Sequence, residues 1–74
     1  MPKLPPLPSQ KVIRILEKKG FVLARTKGSH QIYWNELSRR QVTVPLHTCE
    51  LPIGTLLEIL KQAGISRDEF INLM

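Results

Sequence analysis

Lys27-Gly28-Ser29-His30 is the segment of this chain best suited to chemistry. A glycine-made turn can hold an imidazole at a fixed point. Imidazole ordinarily titrates near neutral pH, so it can give or take a proton there. Arg25 and Lys27 belong to the same expected hairpin and bring positive charge beside it. This combination suits RNA cleavage by the ribose 2′-hydroxyl, in which that hydroxyl loses a proton and the leaving oxygen gains one. A well-placed histidine contributes about 10²–10⁴-fold to such a step. Arg25 and Lys27 would neutralise the scissile phosphate. Ser29 would shape the turn, and Gly28 would let a nucleic-acid backbone come close. The plainer reading of His30 is a hydrogen bond near a turn. Strict alternation also puts it on the side of Ile32 and Trp34, where the end of the sheet would partly cover it.

Other reactive residues are fewer and more scattered. His47 follows Pro45 at the end of a third strand-like run, and it reads as a supporting residue in a loop or at the neighbouring edge of the sheet. The end of that third strand is not expected beside the start of the second. Cys49 lies two residues further on, but a zinc site needs about four ligands and no second cluster exists in the sequence. The carboxylates are dispersed and half of them suit helix surfaces or caps, so a two-metal nuclease is not indicated. Ser29 has no acid behind His30 to complete a hydrolase triad. Tyr33 and Trp34 could stack on bases; in so small a protein their alternative places are the core and the sheet surface. No metal or cofactor is expected.

The charge is uneven. Of the net +5, residues 1–47 carry nine Lys/Arg (3, 11, 14, 18, 19, 25, 27, 39 and 40) against Glu17 and Glu36, a balance of +7. Residues 48–74 carry Lys61 and Arg67 against Glu50, Glu58, Asp68 and Glu69, a balance of −2. A basic front suits a polyanion, and an acidic, apolar rear suits some other contact. Seventy-four residues make one domain, and at 42% apolar residues the chain can build one core. Such a chain buries about 60% of its unfolded surface, which gives modest stability. No apolar run approaches the length of a membrane span. The N-terminus lacks the pattern of a secretory signal, and one cysteine excludes an intrachain disulfide, so a cytoplasmic location is expected.

The elements that must position His30 follow from pattern. Residues 1–8 hold four of the six prolines and read as an extended arm, with Leu4 or Leu7 packing onto the domain. Ser9 reads as an N-cap and Gly20 as the left-handed stop of a first helix, with Val12, Ile13, Ile15 and Leu16 at helical spacing. Residues 21–25, 30–34 and 40–44 read as strands joined by short links, hence antiparallel hairpins, with Val42 and Val44 facing the core and Gln41 and Thr43 facing out. Pro52 fits the first position of a helix whose apolar stripe is Ile53, Leu56, Leu57, Leu60 and Ala63, ended by Gly64. Ser66 to Glu69 is a capping box opening a short last helix with Phe70, Ile71 and Leu73. The expected fold is α+β, in the order α-β-β-β-α with an extra C-terminal helix. Its three-stranded antiparallel sheet is covered by helices on one face and wet on the other.

The chain resembles the HicA-type toxins, small mRNA interferases of the HicA–HicB toxin–antitoxin systems. The resemblance rests on Leu4-Pro5-Pro6-Leu7, Leu16-Glu17-Lys18-Lys19-Gly20-Phe21 and Lys27-Gly28-Ser29-His30-Gln31-Ile32-Tyr33. It continues through Val42-Thr43-Val44-Pro45-Leu46-His47, Gly54-Thr55-Leu56 and Ile59-Leu60-Lys61-Gln62-Ala63-Gly64-Ile65-Ser66, closing on Glu69-Phe70. It implies a fold like the double-stranded-RNA-binding domain, metal-independent cleavage of mRNA with His30 as the essential residue, and a HicB-like antitoxin that covers the site. Leu51-Pro52-Ile53 departs from the charged stretch usual before Gly-Thr-Leu, which bears on where the helix starts.

The expected organisation is therefore a proline-rich arm, 1–8, and a single HicA-like domain, 9–74. The expected function is a ribonuclease toxin with His30 as general acid/base. RNA would be held by Arg25, Lys27, Gly28 and Ser29, with Lys11, Arg14, Lys18, Arg39 and Arg40 extending the electrostatic track. The alternative is a module that grips duplex RNA by shape and does no chemistry; a weaker third reading is DNA binding within a larger complex. An acidic antitoxin would be drawn to the basic residues around His30, with Glu50 and Glu58 on the rear as a second docking region.

Overall fold

The computed structural model describes residues 6–46 and 50–74. Its elements are α1 (Ser9–Lys18), β1 (Val22–Lys27), β2 (His30–Asn35), β3 (Arg40–Pro45), α2 (Ile53–Ala63) and α3 (Arg67–Leu73). The strands form one antiparallel meander in the order β1-β2-β3. This is the expected α-β-β-β-α arrangement with a third helix. No helix among the described residues is long and apolar enough to cross a membrane.

Helix α1 buries Val12, Ile15 and Leu16, the i, i+3, i+4 set of one face. It starts one residue earlier than the Ser9 cap implies. Pro8 is the extended N-cap residue, and Ser9 is the first helical residue and is buried. The reason lies outside the helix. The Leu7 carbonyl accepts from the Leu51 amide at 2.8 Å and Leu7 enters the core, which draws the chain into the helix at Pro8. Leu4 lies outside the described residues. At the other end Gly20, at φ 93°, stops the helix as expected. Its amide donates to Glu17 O and the Phe21 amide to Leu16 O, each at 3.0 Å, the paired bonds of a Schellman motif.

Asn35 joins that helix end to the β2–β3 turn. Its amide donates to Lys19 O at 2.8 Å, and its side-chain oxygen accepts from the Leu37 and Ser38 amides at 2.9 and 3.1 Å. The residue is 6% exposed, so its loss strands backbone groups out of reach of solvent. Asn35→Ala is expected to cost about 1–3 kcal/mol. A melting temperature lowered by about 4–8 °C for each kcal/mol is the check.

Tyr33, Val42 and Val44 supply the sheet's share of the core, against Val12, Leu16, Leu56 and Leu60 from the helices. The inward set of β3 is the one alternation gives. In α2 the buried stripe is Leu56, Ile59, Leu60 and Ala63. Ile53, expected inside, is 42% exposed, and Ile59 takes its place. Pro52 is extended and caps the helix rather than opening it, so the stripe begins later in phase. Gly64, at φ 72°, closes α2 as expected. Edge strand β3 is shielded by α2: the Thr43 amide donates to Gln62 Oε1 at 3.1 Å.

Only half of the expected capping box forms on α3. Ser66 Oγ accepts from the Glu69 amide at 3.1 Å, but the Glu69 carboxylate turns to the Lys19 ammonium. That pair, and Lys18 Nζ donating to Leu73 O at 3.1 Å, hold α3 to α1. Phe70 is fully buried in the common core.

Candidate active site

Gly28 and Ser29 form a two-residue hairpin loop between the paired residues Lys27 and His30. Gly28 has φ 60° and Ser29 does not have a positive φ. Glycine at the first loop position suits a tight hairpin turn whose twist matches the strands. A Cβ built on Gly28 would meet nothing within 4 Å, so the turn is open on its outer side.

His30 opens β2, the central strand, and is exposed. Its cross-strand partners are Lys27 on β1 and Pro45 on β3. Directly paired residues point to the same face, with Cα atoms about 5 Å apart. On β1 the register slips between Leu23 and Arg25, leaving Ala24 as an extra residue. This bulge matters for charge. Leu23 pairs with inward-facing Tyr33, so uninterrupted alternation would also turn Arg25 and Lys27 inward. The bulge resets the phase and pairs Arg25 with Ile32. Arg25 and Lys27 thus share the helix-free face with His30, Lys27 directly opposite and Arg25 on the diagonal at about 7–8 Å. Neither forms an ion pair among the described residues.

Along the same face Ile32 and Trp34 continue from His30 at two-residue intervals, with Thr43 and Gln41 as their β3 partners. Ile32 is only 8% exposed yet lies outside the main core cluster, so it is covered from the open side of the sheet. Trp34 is half-buried and its Nε1–H donates to Glu36 Oε2 at 2.7 Å. Tyr33 points the other way, into the core. Its hydroxyl donates to Gln31 Oε1 at 2.8 Å. Burial first, and the Glu17 carboxylate second, hold the phenol above its ordinary titration range.

The end of β3 lies beside the start of β2, contrary to expectation. Pro45 pairs with His30, and the Leu46 amide donates to Ser29 O at 2.7 Å. Consecutive hairpins reverse direction, so the first strand's end and the third strand's end lie at the same end of the sheet and flank the start of the second; that alternation was the available signal. His47 and Cys49 themselves lie outside the described residues. Among the described residues no group of three His, Cys, Asp or Glu comes together in a metal-holding arrangement.

The other five cations expected to hold RNA do not gather around His30. Lys11, Arg14 and Lys18 rise from α1, in the helix layer on the other side of the sheet. With Leu7, Ile15 and Leu73 they line a groove of about 310 Å³. Arg39 sits in the β2–β3 turn at φ 59°, with its guanidinium 3.6 Å from Glu36. That turn is about 17 Å from His30, five residues up the strand. Arg40 pairs with Asn35 on the helix side. Its guanidinium lies over Gly64, where a Cβ would come within 2.7 Å of Nε, and reaches Gln62 O at 3.5 Å. It dresses the C-terminus of α2, where the helix dipole favours a cation.

What the hairpin assembles is a solvent-accessible imidazole with two cations on one open face. That arrangement can exchange a proton beside a bound anion. A family model described as the HicA toxin of bacterial toxin–antitoxin matches residues 9–65, which span α1 through the end of α2. No curated protein matches the chain. The match contains the whole sheet, the Gly28–Ser29 turn and His30, and it covers most of the 74 residues: the chain belongs to the HicA toxin family of bacterial toxin–antitoxin systems, in which a toxin is paired with a cognate antitoxin.

Proposed function

We propose that this toxin is an endoribonuclease that cleaves mRNA without a metal ion, with His30 as general acid/base. The single observation that carries the reading is the register of the β1–β2 hairpin: it sets Lys27 opposite an exposed His30, and the Ala24 bulge brings Arg25 to the same face. His30 takes the proton of the 2′-hydroxyl as that oxygen attacks phosphorus. The bond from phosphorus to the 5′-oxygen breaks, and the leaving oxygen receives a proton from the imidazolium. The products are a 2′,3′-cyclic phosphate and a free 5′-hydroxyl. Arg25 and Lys27 stabilise charge on the phosphate in the transition state. The open turn at Gly28 and Ser29 admits the RNA backbone. A HicB-like antitoxin with an acidic surface would silence the toxin by covering this same face.

The test is digestion of a single-stranded mRNA by the purified chain in a chelating buffer, with the ends of the products analysed. Cyclic phosphate ends support the reading. Intact RNA after long incubation, together with tight binding of duplex RNA, would leave a holding module and remove the nuclease.

The cations separate by their salt response. Lys27→Ala is expected to lower the slope of log affinity against log salt for single-stranded RNA by about 0.7, the share of one phosphate contact. Arg25→Ala should do the same. Arg40→Ala, whose guanidinium faces Gly64 and Gln62, should leave the slope unchanged. Fluorescence anisotropy of a labelled oligonucleotide across a salt series, in a His30→Ala background that keeps the RNA intact, measures all three.

A further inference from the structure

Trp34 is not used by the proton-transfer chemistry, yet it lies on the same open face as His30. Four residues of strand separate them, about 13 Å. Val22 and Gln41 flank it as cross-strand partners, and Val22 is 61% exposed. The indole is half-buried and does not enter the main core. It is also held: Nε1–H donates to Glu36 Oε2 at 2.7 Å, and the other oxygen of that carboxylate lies 3.6 Å from Arg39. Arg39 offsets the negative charge that orients the ring, which would otherwise repel a polyanion. The result is an aromatic plane fixed in advance on a surface whose opposite end carries Arg25, Lys27 and His30.

Resting on the ribonuclease reading, we propose that Trp34 is a base-stacking platform for single-stranded RNA, holding a base a few nucleotides from the phosphate that His30 addresses. Every base has a π-face, so such a platform accepts any sequence. It rejects a duplex, whose bases are already stacked on one another. The strand of RNA then runs along β2, over the side chains that cover Ile32. Orientation before binding saves the entropy of fixing the ring, and that is the contribution of Glu36, a positioning residue.

Trp34 is the one tryptophan of the chain, so its fluorescence reports on this site alone. The experiment titrates the His30→Ala chain with a labelled single-stranded RNA oligonucleotide and with the matched duplex. Label anisotropy and tryptophan emission are followed together. Quenching that saturates in step with single-strand binding, and is absent with duplex, is the expected result. Trp34→Ala should weaken single-strand affinity by about 5- to 150-fold, the span to which one stacked base converts. Trp34→Phe should retain most of it, with melting curves showing that both variants fold. Glu36→Ala should loosen the indole, lowering the polarisation of its own emission and weakening binding, while Glu36→Gln keeps the acceptor and both readouts. RNA binding with unchanged tryptophan emission, and an affinity indifferent to Trp34→Ala, would overturn the platform and leave the nuclease reading standing. Absence of both binding and wild-type cleavage would overturn the two together.

Discussion

His30→Ala is expected to lower RNA cleavage by about 10²–10⁴-fold, the usual contribution of a positioned acid/base group. The melting temperature should move by no more than about 2–4 °C, because exposed substitutions away from buried features stay within about 0.5 kcal/mol. The structural basis is that His30 sits on the helix-free face, outside the core cluster. Its backbone pairs with Lys27 and Pro45, and a change of side chain leaves those ladders in place. In a bacterial host the unpaired toxin should arrest growth and the alanine variant should not. Cleavage by the purified variant at the wild-type rate would remove His30 from the mechanism, whatever happened in cells.

Phe70→Ala should fail in the opposite way. Phe70 is among the largest fully buried side chains, at 0% exposure. Truncating a buried phenylalanine costs about 3–5 kcal/mol, from lost transfer energy and the cavity left behind. At about 4–8 °C for each kcal/mol, the melting temperature should fall by roughly 12–40 °C. A domain of this size has only on the order of 5 kcal/mol in hand, so much of the chain would be unfolded at growth temperature. Activity should therefore decline with the folded fraction and recover on cooling. Thermal circular dichroism run beside cleavage at several temperatures distinguishes this from the His30 variant, which stays folded and inactive. Phe70 lies beyond the residues matched by the family model, so the experiment also measures how much α3 contributes to the common core. A stable Phe70→Ala chain would mean that α3 is an appendage.

The two variants divide the molecule between its faces. One face of the sheet is packed by helices over β2 and β3, and it carries the stability. The other is free of helices and carries His30, Arg25 and Lys27 at one end and Trp34 at the other. A three-stranded sheet makes this division available because successive residues of each strand point to opposite sides. Tyr33 and Trp34 show it at its smallest scale. Adjacent in sequence, one is a core residue hydrogen-bonded to Gln31 and the other a surface residue hydrogen-bonded to Glu36.

Much of this was legible in the residues because it depends on short-range rules. Gly20, Gly28 and Gly64 mark positive φ, and all three have it. Alternation assigned Val42 and Val44 to the core, and helical spacing found Val12, Leu16, Leu56 and Leu60. The hairpin with His30 at its mouth followed from a glycine between two strand-like runs. Tertiary structure alone decided which distant groups met. The Ala24 bulge is invisible in composition, yet it turns Arg25 and Lys27 toward His30. Arg40 was drawn to Gly64 and Gln62, and Glu69 to Lys19, because packing brought partners from 22 to 50 residues away within reach. Backbone preference is a property of a few neighbouring residues and can be read from them. The pairing of charged side chains depends on the distances that remain once the core has closed.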